Sequence, residues 1–510
     1  MPRFLNRIAR DNTTLLLLAV LIMLGAFITW QLARLPGDEN SRTAVSAAAA
    51  GGISVTDTLA TLEKTPVSRP HLALLRWQTA NGARVYFVPA PELPMLDVRV
   101  VFDGGAARDG GLAGLARFTS AMIGEGTTTR SVDAINNGFE KVGAQFSASS
   151  YRDMAVVELR TLTRAELATP ALELFTDALS HPSFPRDALE RIRNQILVGL
   201  ERDEEEPATI AARSFMAALY LAHPYATPPE GTVASVRAVR VEDLKAFHGR
   251  YYVARNAVIA ITGAVDRARA EQIAMQISTA LAAGEPAPKL PPPPDSKGGH
   301  YHVKFDSQQT HAFIGLPALQ RADPDEAALS IANEILGGNG LNSLLAEEIR
   351  NKRGLAYSVG SSFQGMRAAG PFVINLQTRN EMAGAALGVS LDALRRFIKD
   401  GPTQAQLDDA RRQLVGGYSL RLAGNQAIVG TLGMIGFYNL PDDYLEQQVA
   451  RIEQVNREDV RQAFARHVPA DRLIILTLGP EKPTPKITPA QPGAARAAPT
   501  SQPSAPNKSP

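Results

Sequence analysis

Gly337–Phe363, GGNGLNSLLAEEIRNKRGLAYSVGSSF, reads in order as a glycine turn, a helix, a helix stop and a strand. Gly337, Gly338 and Gly340 carry no Cβ, which predicts a loop whose backbone another chain can approach closely. Asn342 or Ser343 stands where a side-chain oxygen caps the helix that follows. Leu344, Leu345 and Ile349 give that helix an apolar side, and Arg350, Lys352 and Arg353 put positive charge at the negative end of its dipole. Gly354 fits a left-handed helix cap. Leu355, Tyr357 and Val359 then alternate with Ala356, Ser358 and Gly360, as in a half-buried strand. Arg350 at a helix end and Tyr357 on the next strand are therefore expected to converge on one spot.

This stretch resembles the C-terminal half of the pitrilysin/insulinase (M16) zinc peptidases and of mitochondrial processing peptidase. In that family an Arg seven residues before a Tyr grips the substrate peptide beside the zinc, and Arg350 and Tyr357 have that spacing. The resemblance implies that these two act on the substrate carbonyl, and that Gly337, Gly338, Asn339 and Gly340 bind substrate.

A second block, GGLAGLARFTSAMIGEGTTTRS at residues 110–131, is similar to the zinc-binding helix of the same family. The family pattern is Gly-Leu-Ala-His-x-x-Glu-His-Met, with Gly-Thr shortly after. Gly114, Leu115, Ala116, Met122, Gly126 and Thr127 match it, but Arg117, Ser120 and Ala121 stand at the His, Glu and His positions. Counted back from Pro207, the position of the third ligand falls on Gly199. The motif needs two neutral imidazoles on one helical face and a Glu as general base. Arg117 is cationic and cannot ligate zinc, Ala121 has no donor atom, and Ser120 is no base unaided. Glu201, Glu204, Glu205 and Glu206 lie nearby and read as a solvated helix end. This chain is thus expected to bind no metal or other cofactor, any zinc belonging to a partner.

No other catalytic signature competes. The chain has no Cys, which excludes disulfides, thiol nucleophiles and Cys-ligated zinc. His300 and His302 share one strand face, as a weak metal clip would, but no third ligand is evident and a surface strand is expected. There is neither a Gly-x-Ser-x-Gly elbow nor a Walker loop. A net charge of +2 argues against a dedicated nucleic-acid surface.

The chain also reads as a duplication. LERIRNQILVG at residues 189–199 overlays LDDARRQLVGG at 407–417, with Arg193 and Gln195 falling on Arg411 and Gln413. EDLKAF followed by AVIAITG parallels EDVRQAF followed by LIILTLG. Between the copies lies the stiff linker PAPKLPPPP, Pro286–Pro294. The fold expected is α+β: two homologous domains, each a mainly antiparallel sheet flanked by helices, facing each other as a clamshell. The boundaries are 66–286 for the first, 287–299 for the linker and 300–480 for the second.

Upstream, an uncharged run at 13–33, centred on LLLLAVLIMLGAF, is long enough to span a bilayer as one transmembrane helix. Arg3, Arg7 and Arg10 before it place residues 1–12 in the cytoplasm, so the rest is expected beyond a bacterial inner membrane, in the periplasm. Residues 34–65 read as a flexible tether and 481–510, rich in Pro, Ala and Ser, as a disordered tail.

The reading that follows is a membrane-anchored, non-catalytic subunit of a heteromeric zinc peptidase. It would pair as a heterodimer with a zinc-bearing homologue and complete a site for peptide substrate. The alternative is a non-proteolytic structural or peptide-binding subunit of a membrane assembly. A peptidase using an unrecognised metal site requires several ligands to be replaced at once with correct geometry, which disfavours it.

Overall fold

The computed structural model describes residues 73–418 and 422–486. The expected anchor at 13–33, the tether and the tail from residue 487 lie outside the described residues. Among those described, no helix is long and apolar enough to cross a membrane.

The first half runs β1 (Leu75–Gln78), β2 (Arg84–Pro89), β3 (Met95–Phe102), α1 (Leu115–Met122), α2 (Val132–Lys141), β4 (Gln145–Ser150), β5 (Ala155–Leu162), α3 (Ala165–Ser180), α4 (Arg186–Glu205), α5 (Pro207–Tyr220), α6 (Val233–Ala238), α7 (Val241–Tyr251), β6 (Ala257–Gly263) and α8 (Arg267–Ala280). The second runs β7 (Gly299–Lys304), β8 (Gln309–Leu319), α9 (Glu326–Asn333), β9 (Ser358–Phe363), β10 (Gly370–Arg379), α10 (Ala383–Asp400), α11 (Gln404–Gly416), α12 (Asn425–Tyr438), α13 (Tyr444–Gln454), α14 (Arg457–His467) and β11 (Ile474–Gly479). Their sheets have the orders β1-β2-β6-β3-β5-β4 and β7-β11-β8-β10-β9. In each, the last strand of the half inserts beside its first long strand, parallel to it, and antiparallel to the next. The sheets are mixed but mainly antiparallel.

The duplication extends to side chains. Arg193 on α4 donates to the carbonyls of Arg237 at 3.1 Å and Val239 at 2.8 Å, where α6 ends. Its counterpart Arg411 on α11 donates to the carbonyls of Ile452 at 3.4 Å and Val455 at 2.8 Å, where α13 ends. Asp243 and Asp459 likewise close matching capping boxes on α7 and α14.

The apolar strands are continuous rather than alternating because both faces of each sheet are covered. In β2, Val85 and Phe87 enter the core beneath the first half's own helices. Tyr86 and Val88, on the opposite face, join a core built largely from the second half. The cover there is α12, which seats on β2, β3 and β6. Gly436 makes the approach possible, since a Cβ on it would lie 2.4 Å from Val258 Cγ1 and 2.6 Å from the Tyr86 ring. The exchange is reciprocal: α5 of the first half packs on β8 and β11, with Phe215 and Phe313 stacked at 5.4 Å. The halves are interlocked by exchanged helices as well as joined by the linker. Part of that linker is laid on the first half, where Asn256 Oδ1 accepts from Ala287 N at 3.1 Å.

β2 and β3 are not neighbours, because β6, buried throughout, takes the place between them. Three local expectations are corrected. The strand after Gly354 starts at Ser358, so Leu355 and Tyr357 precede it. Gly337 and Gly338 are not in an open loop but in π-helical turns, Glu334–Gly338, that continue α9. Finally, the chain beyond 480, expected to begin a disordered tail, is held: Lys482 Nζ donates to His300 O at 3.1 Å, and Thr484 and Lys486 lie along α10, with Lys486 N donating to Gly384 O at 2.8 Å.

Candidate functional site

The positions at which the zinc motif degenerates come together. Arg117, Ser120 and Ala121 from α1, and Gly199 from α4, line one cleft of about 470 Å³. Ala148, Ser149 and Ser150 of β4, Arg202 and Asp203 of α4, and Pro229 and Glu230 complete its wall. The four residues come from two helices and face the same cleft. Ser120 is buried and its hydroxyl lies 3.1 Å from the Tyr252 hydroxyl. Burial of Tyr252 pushes its phenol well above the usual value, so that hydroxyl stays protonated and Ser120 has no base beside it. Arg117 is exposed.

The donor set does not fit zinc. Two of the four positions offer no donor atom, one offers a guanidinium and one a committed hydroxyl. Asp203, the nearest carboxylate on α4, is held by Arg213 at 2.8 Å. Glu201, Glu204, Glu205 and Glu206 are exposed and do not line the cleft. Elsewhere among the described residues, Asp323, Asp325 and His467 bring three ligand-type atoms together. There His467 Nδ1 bonds to the Ala318 carbonyl at 2.9 Å and Asp325 carries Arg466 at 2.9 Å, so the group is accounted for as an ion-pair cluster at the start of α9. His300 and His302 do share a face of β7, an edge strand, and both rings reach the Thr477 hydroxyl, at 3.3 and 3.0 Å.

One residue that the motif comparison passed over secures α1. Asp109, buried before the helix, accepts from Gly114 N at 2.7 Å and Ala116 N at 2.8 Å. Burial pushes its carboxyl up to about 7 despite those two amides, which favour the charged form. The folded state therefore holds this proton to higher pH than the unfolded chain does. The stability it confers is complete in acid and lost as pH rises from the ordinary carboxylate range through about 7. Urea midpoints measured across that window are expected to fall with rising pH, and Asp109→Asn to remove this part of the slope. A single Asp ahead of GGLAGLA was the only trace of this in the sequence.

In the second half, the chain from Gly354 turns back under the π-helical segment Ala346–Asn351, with Gly354 N bonding to Arg350 O and Leu355 N to Ile349 O, each at 2.9 Å. Gly354 has φ +60°, as a left-handed cap requires. The result is the expected convergence: the Arg350 guanidinium carbon sits 4.9 Å from the centre of the Tyr357 ring. Tyr357 is 83% exposed, the most open of the large hydrophobic residues described. A tyrosine and an arginine held together in solvent present a cation and a phenol outward, at a loss of apolar burial.

The glycine-rich stretch divides by function. Gly337 is buried, and a Cβ on it would meet Ser361 N at 2.4 Å, so it serves the contact with β9. Gly340, with φ +49° and nothing within 4 Å, keeps its backbone open. Asn339 donates to Gln413 Oε1 at 2.6 Å and lines, with Asn342 and Ser343, a separate cleft of about 420 Å³. Every residue lining the degenerate cleft comes from the first half. Arg350 and Tyr357 are not among them.

Two family models match the chain: insulinase (peptidase family M16) over residues 85–233 and peptidase M16 inactive domain over residues 238–414. An uncharacterized zinc protease of Mycobacterium tuberculosis is 29% identical over 421 residues, spanning 80% of this chain and 94% of that protein. A non-peptidase homolog of Helicobacter pylori is 24% identical over 421 residues, spanning 80% of this chain and 95% of that protein. The crystal structure of a peptidase M16 inactive domain from Pseudomonas fluorescens superposes with a TM-score of 0.79 at 42% identity, covering 82% of this chain and all of that one.

Proposed function

The chain belongs to the M16 peptidase family, and from that premise we propose that it is the non-catalytic subunit of a heteromeric zinc peptidase. A zinc-bearing homologue supplies the metal and the general base. This chain supplies Arg350 and Tyr357, which donate to the scissile carbonyl as charge develops on it, and the open backbone around Gly340. The observation that carries the reading is an asymmetry. The first half has no zinc donor at the four motif positions, while the second holds a guanidinium against an 83% exposed tyrosine. We place the pair in the periplasm, anchored to the inner membrane by residues 13–33.

A second reading, a structural or peptide-binding subunit without proteolysis, draws support from the Helicobacter relative described as a non-peptidase homolog. The two separate on purification of the full chain from native membranes with zinc and peptide cleavage measured together. The expected result is a zinc-bearing M16 homologue co-purifying, with chelator-sensitive cleavage that the isolated chain lacks. A native complex without such a homologue and without zinc selects the second reading. Stoichiometric zinc in the isolated chain defeats both.

A further inference from the structure

We propose that the cleft left by the lost zinc positions is a carboxylate pocket for an acidic side chain of a bound peptide. The charges facing it are uneven. Arg117 reaches it from α1 and Arg202 from α4; both are exposed, and neither makes an ion pair or hydrogen bond among the described residues. Of the two carboxylates in the wall, Asp203 is neutralised by Arg213 at 2.8 Å, which leaves Glu230 against two guanidinium groups. Two uncommitted guanidinium groups in one concave wall offer donors to an anion, and a carboxylate takes the planar Arg fork with two parallel bonds. Glu230 makes a single negative charge a better guest than a double one.

The walls point to a peptide. Ser149 and Ser150 line the cleft from β4, which is the outermost strand of its sheet. The outer backbone groups of that strand are open to an extended segment, and the serine hydroxyls add donors beside the guanidinium groups. The pocket does not depend on a zinc-bearing partner or on cleavage, so it stands or falls separately from the function proposed above.

The test uses the full chain in detergent and two decapeptide pools with random flanks, one with Glu at a central position and one with Gln. Retention of the Glu pool about tenfold above the Gln pool is expected, as a charge-assisted pair gives. It should fall with added salt. Arg117→Gln combined with Arg202→Gln should abolish the preference while leaving the melting temperature unchanged, because both side chains are exposed. Arg117→Lys should restore part of it. Equal retention of the two pools, retention of neither, or a preference that survives the double substitution overturns the proposal. So does a cleft that binds inorganic phosphate by calorimetry yet ignores the Glu pool.

Discussion

Replacing Asp153 with alanine is expected to destabilise the chain by about 4 kcal/mol, the largest single-residue effect foreseen, read as a shift in urea unfolding. Asp153 is 3% exposed and lies in the turn between β4 and β5, where the two halves meet. Its Oδ1 accepts from the Tyr225 hydroxyl at 2.5 Å; its Oδ2 accepts from Arg367 N at 2.8 Å and the Tyr438 hydroxyl at 3.1 Å. Burial raises both phenols above their usual range, so they stay protonated and remain donors. Tyr225 also accepts from Ala368 N at 3.0 Å, and Arg367 reaches Asp103 at 3.3 Å. The network therefore ties the first half to the segment 366–369 and to α12 of the second. Alanine leaves three donors without an acceptor where water has little access, and each stranded buried group costs about 1–3 kcal/mol. Asp153→Asn keeps an acceptor oxygen and should cost clearly less. A loss under about 1 kcal/mol for the alanine variant would mean that the exchanged helices alone hold the halves together.

In the complex proposed above, with a zinc-bearing homologue, Arg350→Ala is expected to lower kcat/KM for peptide cleavage by about 10²–10³-fold, as removal of one donor to a developing oxyanion does elsewhere. The guanidinium lies 4.9 Å from the Tyr357 ring, and the helix stop at Gly354 fixes their separation. The loss should appear mainly in kcat, because the donor acts on charge that forms in the transition state. Arg350→Lys retains charge without the two-pronged geometry and should fall between. Tyr357 is 83% exposed, so its replacement should leave folding stability within about 0.5 kcal/mol. An undiminished rate in the alanine variant would remove this chain from the chemistry and leave it a binding or structural role.

Much of the site was legible in sequence because it depends on local spacing. Arg117, Ser120 and Ala121 sit within a turn or so on one helix, so a motif places them together without any knowledge of the fold. Gly199 needed the count from Pro207, and the helix α4 carries it to the same cleft. The Arg350–Tyr357 contact follows from a helix stop and a few residues of chain. The strand boundary was misplaced because Leu355, Tyr357 and Val359 alternate whether or not a neighbour pairs with them, and pairing begins only at Ser358.

By itself the sequence determined the duplication, the α+β class and the absence of zinc donors on α1, since each rests on residue type and short-range spacing. Only the tertiary structure decided which strands neighbour each other, that each sheet borrows a helix from the other half, and that Asp153 joins them. Those depend on contacts between residues far apart in the chain, such as Gly436 on Tyr86 and Val258, where fit in space and not local propensity selects the partner.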